Sequence, residues 1–276
     1  MKKAICVGSA AGQTVKDKMA LVKKAGYDGV ELSLNETGET SLESTPEEWI
    51  DLFEFSKKID LKIHSVTTGL YWSYPFTSDC PDVREKAVSV ALKQLEAAKA
   101  VGADGVLIVP GAVGVIFIPG FKPVPYDLAY DRALSAFMHI KKDAERLQIH
   151  IGVENVWNQF LLSPLEMRDF IDKIDSTYVG AYLDVGNVIA TGYPEHWIHI
   201  LGKRIRKVHF KDYRRGVGGL HGFVDLLAGD VDWAAVMEAF KAVGYDGWAT
   251  AEMDAYAHYP DQIVFNTKAA MDRICG

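Results

Sequence analysis

One phrase constrains the fold of this chain more than any other feature. Ala25–Leu32 (AGYDGVEL), Val101–Val109 (VGADGVLIV) and Val243–Met253 (VGYDGWATAEM) each carry Gly-x-Asp-Gly followed by an apolar run. Each follows a segment whose apolar residues recur at helical spacing, such as Val15, Met19 and Val22 before Gly26, or Val236, Phe240 and Val243 before Gly244. A glycine able to adopt positive φ closes a helix, an Asp-Gly pair turns the chain, and a buried strand follows. The phrase is a helix-to-strand joint used three times.

The same alternation runs through the rest of the chain. Strands are predicted at Lys3–Val7, Gly29–Ser33, Leu61–Val66, Gly105–Val109, Ile149–Glu154, Val179–Asp184, Ile205–Phe210 and Gly247–Glu252. Between them the spacing predicts helices at Thr14–Ala25, Pro46–Ile59, Asp82–Val101, Asp127–Leu147, Pro164–Ile174, Pro194–Leu201, Asp232–Val243 and Pro260–Ile274. Several open on proline or aspartate, as helix N-termini prefer. Eight strand–helix repeats in 276 residues, strand first and helix last, predict an α/β chain folded as a (β/α)8 TIM barrel. A doubly wound nucleotide-binding sheet is the competitor, but no Gly-x-Gly-x-x-Gly follows the first strand. No linker or composition shift divides the chain, so one domain over residues 1–276 is expected.

Composition narrows the partners. The net charge of −7 disfavours a nucleic-acid backbone or an anionic membrane as partner. Cys6, Cys80 and Cys275 are far apart and form no Cys-x-x-Cys pair, which argues against a disulfide framework or a zinc cage and for a reducing compartment. The opening MKKAICVGSAAG has the charge of a signal peptide, but its apolar run is short and broken by glycine, so it reads as the first strand. No run is long enough to span a membrane. A cytoplasmic location is expected.

In a barrel of this kind the chemistry sits at the C-terminal ends of the strands. Strand five ends IGVEN at Glu154, strand six AYLDVGN at Asp184, strand seven KVHFKD at His209 and strand eight ATAEMD at Glu252. One such residue alone is commonly a capped or solvated polar group. Four on adjacent strands would bring three carboxylates together, and without a cation they would repel and raise one another's pKa values. The set predicts a single divalent metal accepting mixed oxygen and nitrogen donors, with Mn²⁺ favoured and Mg²⁺, Co²⁺ or Zn²⁺ as alternatives.

The segment RKVHFKDYRRG (Arg206–Gly216) then makes sense: His209 faces the cation, and Lys211, Arg214 and Arg215 are candidates to hold substrate or its phosphate, Arg215 foremost. Trp157 and Phe160, after strand five, are loop aromatics and candidates to stack on a bound ligand. His64 and Glu31 are expected at the same rim, and the aromatic stretch Thr67–Pro81 is expected as a lid or a subunit contact. His196, His199, His221 and His258 have no ligand-like company.

From GVENVWNQFLLSP through AYLDVGN, VHFKD, GDVDW and GYDGWATAEM, the chain resembles the xylose isomerase-like TIM barrels, which include sugar and sugar-phosphate isomerases and epimerases. The resemblance covers essentially the whole chain. It implies, from the ketose 3-epimerase branch, that Glu154, Asp184, His209 and Glu252 bind one metal. It also implies that Glu154 and Glu252 exchange protons with the substrate carbon from opposite faces, and that Arg215 contacts substrate oxygens. Members acting on free ketoses commonly have histidine where this chain has Asn187, which is thereby expected to meet substrate, and glutamate where it has Phe160; LDVGN is closer to the pentulose-phosphate 3-epimerase and hexulose-phosphate isomerase members.

The expected activity is metal-dependent epimerisation or isomerisation of a sugar or sugar phosphate, 3-epimerisation of a ketose or ketose phosphate favoured, by way of an enediolate. An inosose-type dehydratase on the same site is the alternative. An abasic-site endonuclease of the superfamily would need a histidine at Asn187 and a D-x-H pair at strand seven, and a sugar-binding barrel without catalysis would be expected to lack a ligand. The resemblance also implies a homo-oligomer, a dimer or tetramer, with a small-molecule sugar as partner.

Overall fold

In the computed structural model, which describes residues 1–276, the three joint glycines have the conformation their position demands. Gly26, Gly102 and Gly244 sit at φ of 89°, 67° and 72° and close the helices before them. The second glycine of each phrase has another purpose. A methyl group on Gly29 would lie 2.6 Å from Trp248 Cζ3, and one on Gly105 would lie 2.6 Å from Lys207 Cε. These positions are glycine because neighbouring side chains occupy the space. The sequence reading of a tight Asp-Gly turn is corrected on that point.

The apolar runs form eight parallel strands: β1 (Lys2–Cys6), β2 (Gly29–Ser33), β3 (Lys62–Thr67), β4 (Gly105–Ile108), β5 (His150–Glu154), β6 (Val179–Asp184), β7 (Ile205–Phe210) and β8 (Trp248–Ala251). Each pairs with the next and β8 pairs back to β1, so the sheet closes and no edge is left exposed. Outside lie α1 (Val15–Lys24), α2 (Pro46–Lys58), α3 (Pro81–Ala100), α4 (Tyr126–Leu147), α5 (Pro164–Ile174), α6 (Pro194–Leu201), α7 (Trp233–Val243) and α8 (Gln262–Cys275). Reciprocal side-chain caps start α1 (Thr14 with Asp17) and α2 (Thr45 with Glu48), and proline opens α2, α3, α5 and α6. The architecture is the (β/α)8 barrel expected, with element ends shifted by a residue or two. No helix is long and apolar enough to cross a membrane.

Several short elements escaped the periodicity, two of which bear on the site. A five-residue helix, Val185–Ile189, follows β6 directly, and a short antiparallel ribbon pairs Asp212–Tyr213 with Phe223–Val224 in the loop after β7. Both are too short to carry a helical or alternating pattern.

The aspartates of the repeated phrase tie the barrel floor. Asp28 accepts the Lys3 amide at 2.8 Å, Asp104 pairs with Lys207 at 2.5 Å, and Asp246 takes the N-terminal amine at 2.8 Å. Above the floor, alternation sends every second strand residue inward. Along β7 and just beyond it the inward residues are Lys207, His209 and Lys211, one above another. Gly152 on β5 makes room for Tyr182 on β6: a methyl there would lie 2.8 Å from Tyr182 Cβ. Gly152→Ala is therefore expected to lower stability by about 1–3 kcal/mol through overpacking, read as an earlier urea midpoint at unchanged slope; an unchanged midpoint would show that the barrel interior yields freely here.

Candidate active site

The charge run after β7 divides by direction. Lys211 turns inward to the barrel mouth. Asp212 is buried and accepts from the amides of Leu227 and Val231 and from Trp233 Nε1, so it shapes the loop that follows. Arg214 donates to the Ala228 carbonyl. Arg215 donates to the carbonyls of Ile189 and Gly192 and lies over the Tyr193 ring at 4.8 Å.

At the mouth, four adjacent strands deliver Glu154, Asp184, His209 and Glu252 to one point, with one ligand atom from each within 4.8 Å of all the others. His209 Nδ1 lies 3.7 Å from Glu154, 3.8 Å from Asp184 and 3.0 Å from Glu252. Neighbouring residues fix the aim of these side chains. Asn155 clamps β6 by donating to the Asp184 carbonyl and accepting the Asp184 amide. Asp184 Oδ1 accepts the Asn187 amide and caps the five-residue helix, which leaves Oδ2 turned to the cluster. His209 is held from behind: Glu31 Oε1 lies 2.8 Å from its Nε2, while Tyr182 donates to the other Glu31 oxygen and the Cys6 thiol lies 3.2 Å from Oε1. A carboxylate behind a ring nitrogen selects the tautomer and points the other nitrogen forward.

Asp184 Oδ2, His209 Nδ1 and Glu252 Oε2 are buried with no hydrogen bond of sound geometry, although Lys211 Nζ approaches Glu252 at 2.7 Å and Asp184 at 3.3 Å. Buried polar atoms left so are rare and call for an explanation. Donors spaced at 3–5 Å fit one cation with bonds of about 2.0–2.5 Å. The set of three carboxylates and one imidazole fits a divalent ion. The two glutamates differ in charge preference. Burial pushes the Glu154 carboxyl up to about 7 against the pull of His209. Partial burial would raise Glu252 too, but Lys211 and His209 outweigh it and hold its carboxyl well below the usual range.

The cluster lies at the base of a cavity of about 840 Å³. Of the residues expected to meet substrate, Asn187, Lys211 and Trp157 line this cavity, and Trp157 Nε1 donates to the Asn187 carbonyl. Others do not. Arg215, expected to contact substrate oxygens, donates to two backbone carbonyls and does not line the cavity. Phe160 is buried among Tyr126, Tyr130 and Phe170 and packs the protein, not a sugar. Glu31 is fully buried behind His209 and acts on that ring instead of standing at the rim. Within Thr67–Pro81, Trp72 reaches the cavity and packs edge-on to Phe117, while Tyr71 and Phe76 are buried.

His64 is corrected as well. It is fully buried one layer below the cavity, stacked on Trp248 at 4.5 Å, with Thr250 at its Nε2 and Lys207 at its Nδ1. An ammonium donor at Nδ1 leaves that nitrogen to accept. Burial, then the Lys207 charge, hold the ring well below its ordinary pKa. The sign follows: below the ordinary value near 6.5 the unfolded chain takes up a proton that the folded ring refuses, so stability falls with pH. Between about pH 6.5 and 5 this site is expected to remove up to about 1.4 kcal/mol per pH unit. His64→Gln should flatten the curve of stability against pH there, and an identical curve would show that the ring charges without penalty.

Sequence reading missed the Glu31–Tyr182–Cys6 cradle and the aromatic wall of Trp72, Phe117 and Phe223. The one available signal was Glu31 itself, a carboxylate inside the apolar strand GVELS, where an acid needs a partner. Comparison with known proteins adds independent findings. A family model described as xylose isomerase-like TIM barrel matches residues 19–273. Among curated proteins, the chain is 25% identical over 250 residues to the L-ribulose-5-phosphate 3-epimerase UlaE of Salmonella heidelberg (strain SL476), covering 88% of this chain and 83% of that protein. Among solved structures it is similar to a D-tagatose 3-epimerase-like protein (TM-score 0.82, 20% identity, 99% and 97% of the two chains). It is also similar to D-psicose 3-epimerase from Clostridium cellulolyticum H10 (TM-score 0.83, 16% identity, 99% and 98%). At these identities the structural likeness speaks for the fold.

Proposed function

Because the chain belongs to the xylose isomerase-like TIM-barrel family, we propose that it is a divalent-cation-dependent sugar epimerase or isomerase, 3-epimerisation of a ketose or ketose phosphate being the favoured reaction. The observation that carries the reading is the convergence of Glu154, Asp184, His209 and Glu252, with three of their buried polar atoms making no hydrogen bond of sound geometry. Relatives named as 3-epimerases support it.

Glu154, Asp184, His209 and Glu252 would hold the cation, with Mn²⁺ the first to try. When bound, it would supply Lewis-acid stabilisation to sugar oxygens as charge develops on them. The protein's own residues handle the proton. A hydrogen on a carbon beside a carbonyl passes to the Glu252 carboxylate, which Lys211 and His209 keep ionised. Glu154 gives a proton to the other face of the same carbon. The C–H electron pair rests meanwhile in the enediolate. One proton is taken and one returned, so the product is an epimer. Delivery to the neighbouring carbon would give the aldose–ketose isomer. Lys211, Asn187 and Trp157, at the cavity wall, orient the sugar. The carboxylate-rich mouth and the net charge of −7 oppose a nucleic-acid substrate. The reading includes one catalytic domain over residues 1–276 and a homo-oligomeric assembly.

Solvent-deuterium incorporation tests it. Manganese-loaded protein in D2O should place deuterium on the sugar carbon without loss of water. Loss of water would identify a dehydratase instead, and no exchange with any ketose or ketose phosphate would end the proposal.

A further inference from the structure

The cavity bears a charge balance that a sugar phosphate does not suit. Its one lysine, Lys211, sits low in the cavity beside the cluster, 2.7 Å from Glu252 and 3.3 Å from Asp184, and not along the outer wall where a distal phosphate would lie. No arginine lines it; Arg214 and Arg215 are bound to backbone carbonyls beyond the wall. Beyond the cluster, the outer wall adds the exposed carboxylates Asp225 and Asp254. A phosphate ester carries about −1.5 to −2 at neutral pH and calls for arginine, lysine or free amide donors. Here it would meet carboxylates.

The outer wall is also aromatic. Trp72 packs edge-on to Phe117 at 5.2 Å, and Trp157 stacks on Phe223 at 5.0 Å, all four half-buried and lining the cavity. Leu220 beside them is 49% exposed. Large apolar faces held half-open at a polar rim mark a place where a ligand completes the packing. At 840 Å³ the cavity has the size of sites for drug-sized ligands, well beyond one sugar ring.

We propose that the substrate is an uncharged sugar extended beyond one ring, a ketose carrying a second sugar ring or an aryl group on its distal hydroxyl, with the reacting carbon at the cluster and the extension against Trp72 and Phe117. The inference rests on the sugar-epimerase reading and names its substrate class. Aromatic faces take the apolar face of a sugar ring or an aryl group, while Asp225 and Asp254 accept hydrogen bonds from hydroxyls and repel a phosphate.

The test measures solvent-deuterium incorporation by the manganese-loaded protein on 2-ketohexose stereoisomers, each offered free, as its 6-phosphate and as its 6-O-glucoside. The 6-O-glucoside of the accepted stereoisomer should exceed the 6-phosphate at least about tenfold in kcat/KM, the ratio that about 1.4 kcal/mol of selective contact gives. Trp72→Ala should raise KM for the glucoside about tenfold, in line with the worth of one aromatic contact, and leave the free ketose within about twofold. A 6-phosphate that reacts as fast or faster, or a Trp72→Ala effect equal on both sugars, overturns this inference and leaves the epimerase reading intact. Absence of exchange with every form overturns both.

Discussion

Replacing Glu252 with glutamine is expected to lower deuterium exchange at the sugar carbon about a thousandfold, within the range that positioned acid–base groups contribute. The same variant should still bind a divalent cation. Glutamine keeps an oxygen that can face the cluster, and Glu154, Asp184 and His209 remain in place. What it loses is basicity. Glu252 is the carboxylate held ionised by Lys211 and His209, with 40% of its side chain open to the cavity where a substrate would lie. Glu154→Gln should reduce epimer formation comparably through loss of the returning acid. If Glu252→Gln retains full exchange, that residue has no part in the proton transfer and the proposed mechanism fails, whatever the metal content.

The second large effect concerns the cation as a structural element. Saturation with Mn²⁺ at about a thousand times its dissociation constant should stabilise the folded state by about 4 kcal/mol. For a chain of this size that corresponds to a rise of roughly 10 °C in Tm over the chelated protein. The cause is local: three carboxylates share a buried pocket, and burial already raises the pKa values of Glu154 and Asp184. A cation removes the repulsion and satisfies the unpaired Asp184 Oδ2 and His209 Nδ1. Asp184→Asn should cut most of the manganese-dependent shift. A wild-type melting temperature indifferent to Mn²⁺, Mg²⁺, Co²⁺ and Zn²⁺ alike would mean the four residues do not hold an ion.

The barrel was legible from the chain because its signals are local. A helix must stop before a strand can start, and Gly26, Gly102 and Gly244 announce that stop within a few residues. Once the strands are placed, the residues at their ends follow by counting, and this brings Glu154, Asp184, His209 and Glu252 to one rim. The substrate contacts were less legible. Lys211 and Arg215 stand four positions apart in the same charge run, yet one lines the cavity and the other is tied to Ile189 and Gly192 outside it. The loop after β7 turns between them, and Asp212 sets that turn through partners 15 to 21 residues further on. His64 was misplaced for a related reason: β2 and β3 shift register between Val30 and Glu31, so depth could not be counted along β3 alone.

Periodicity and strand-end chemistry in the sequence therefore determined the barrel and the set of residues gathered at its mouth, since both depend on spacings along the chain. Tertiary structure alone decided that Glu31 stands behind His209, 178 positions away, that the arginines face outward, and that Trp72 and Phe117 share one wall. Those relations arise where loops of no fixed period meet across the closed barrel, and they depend on the packing of the whole chain.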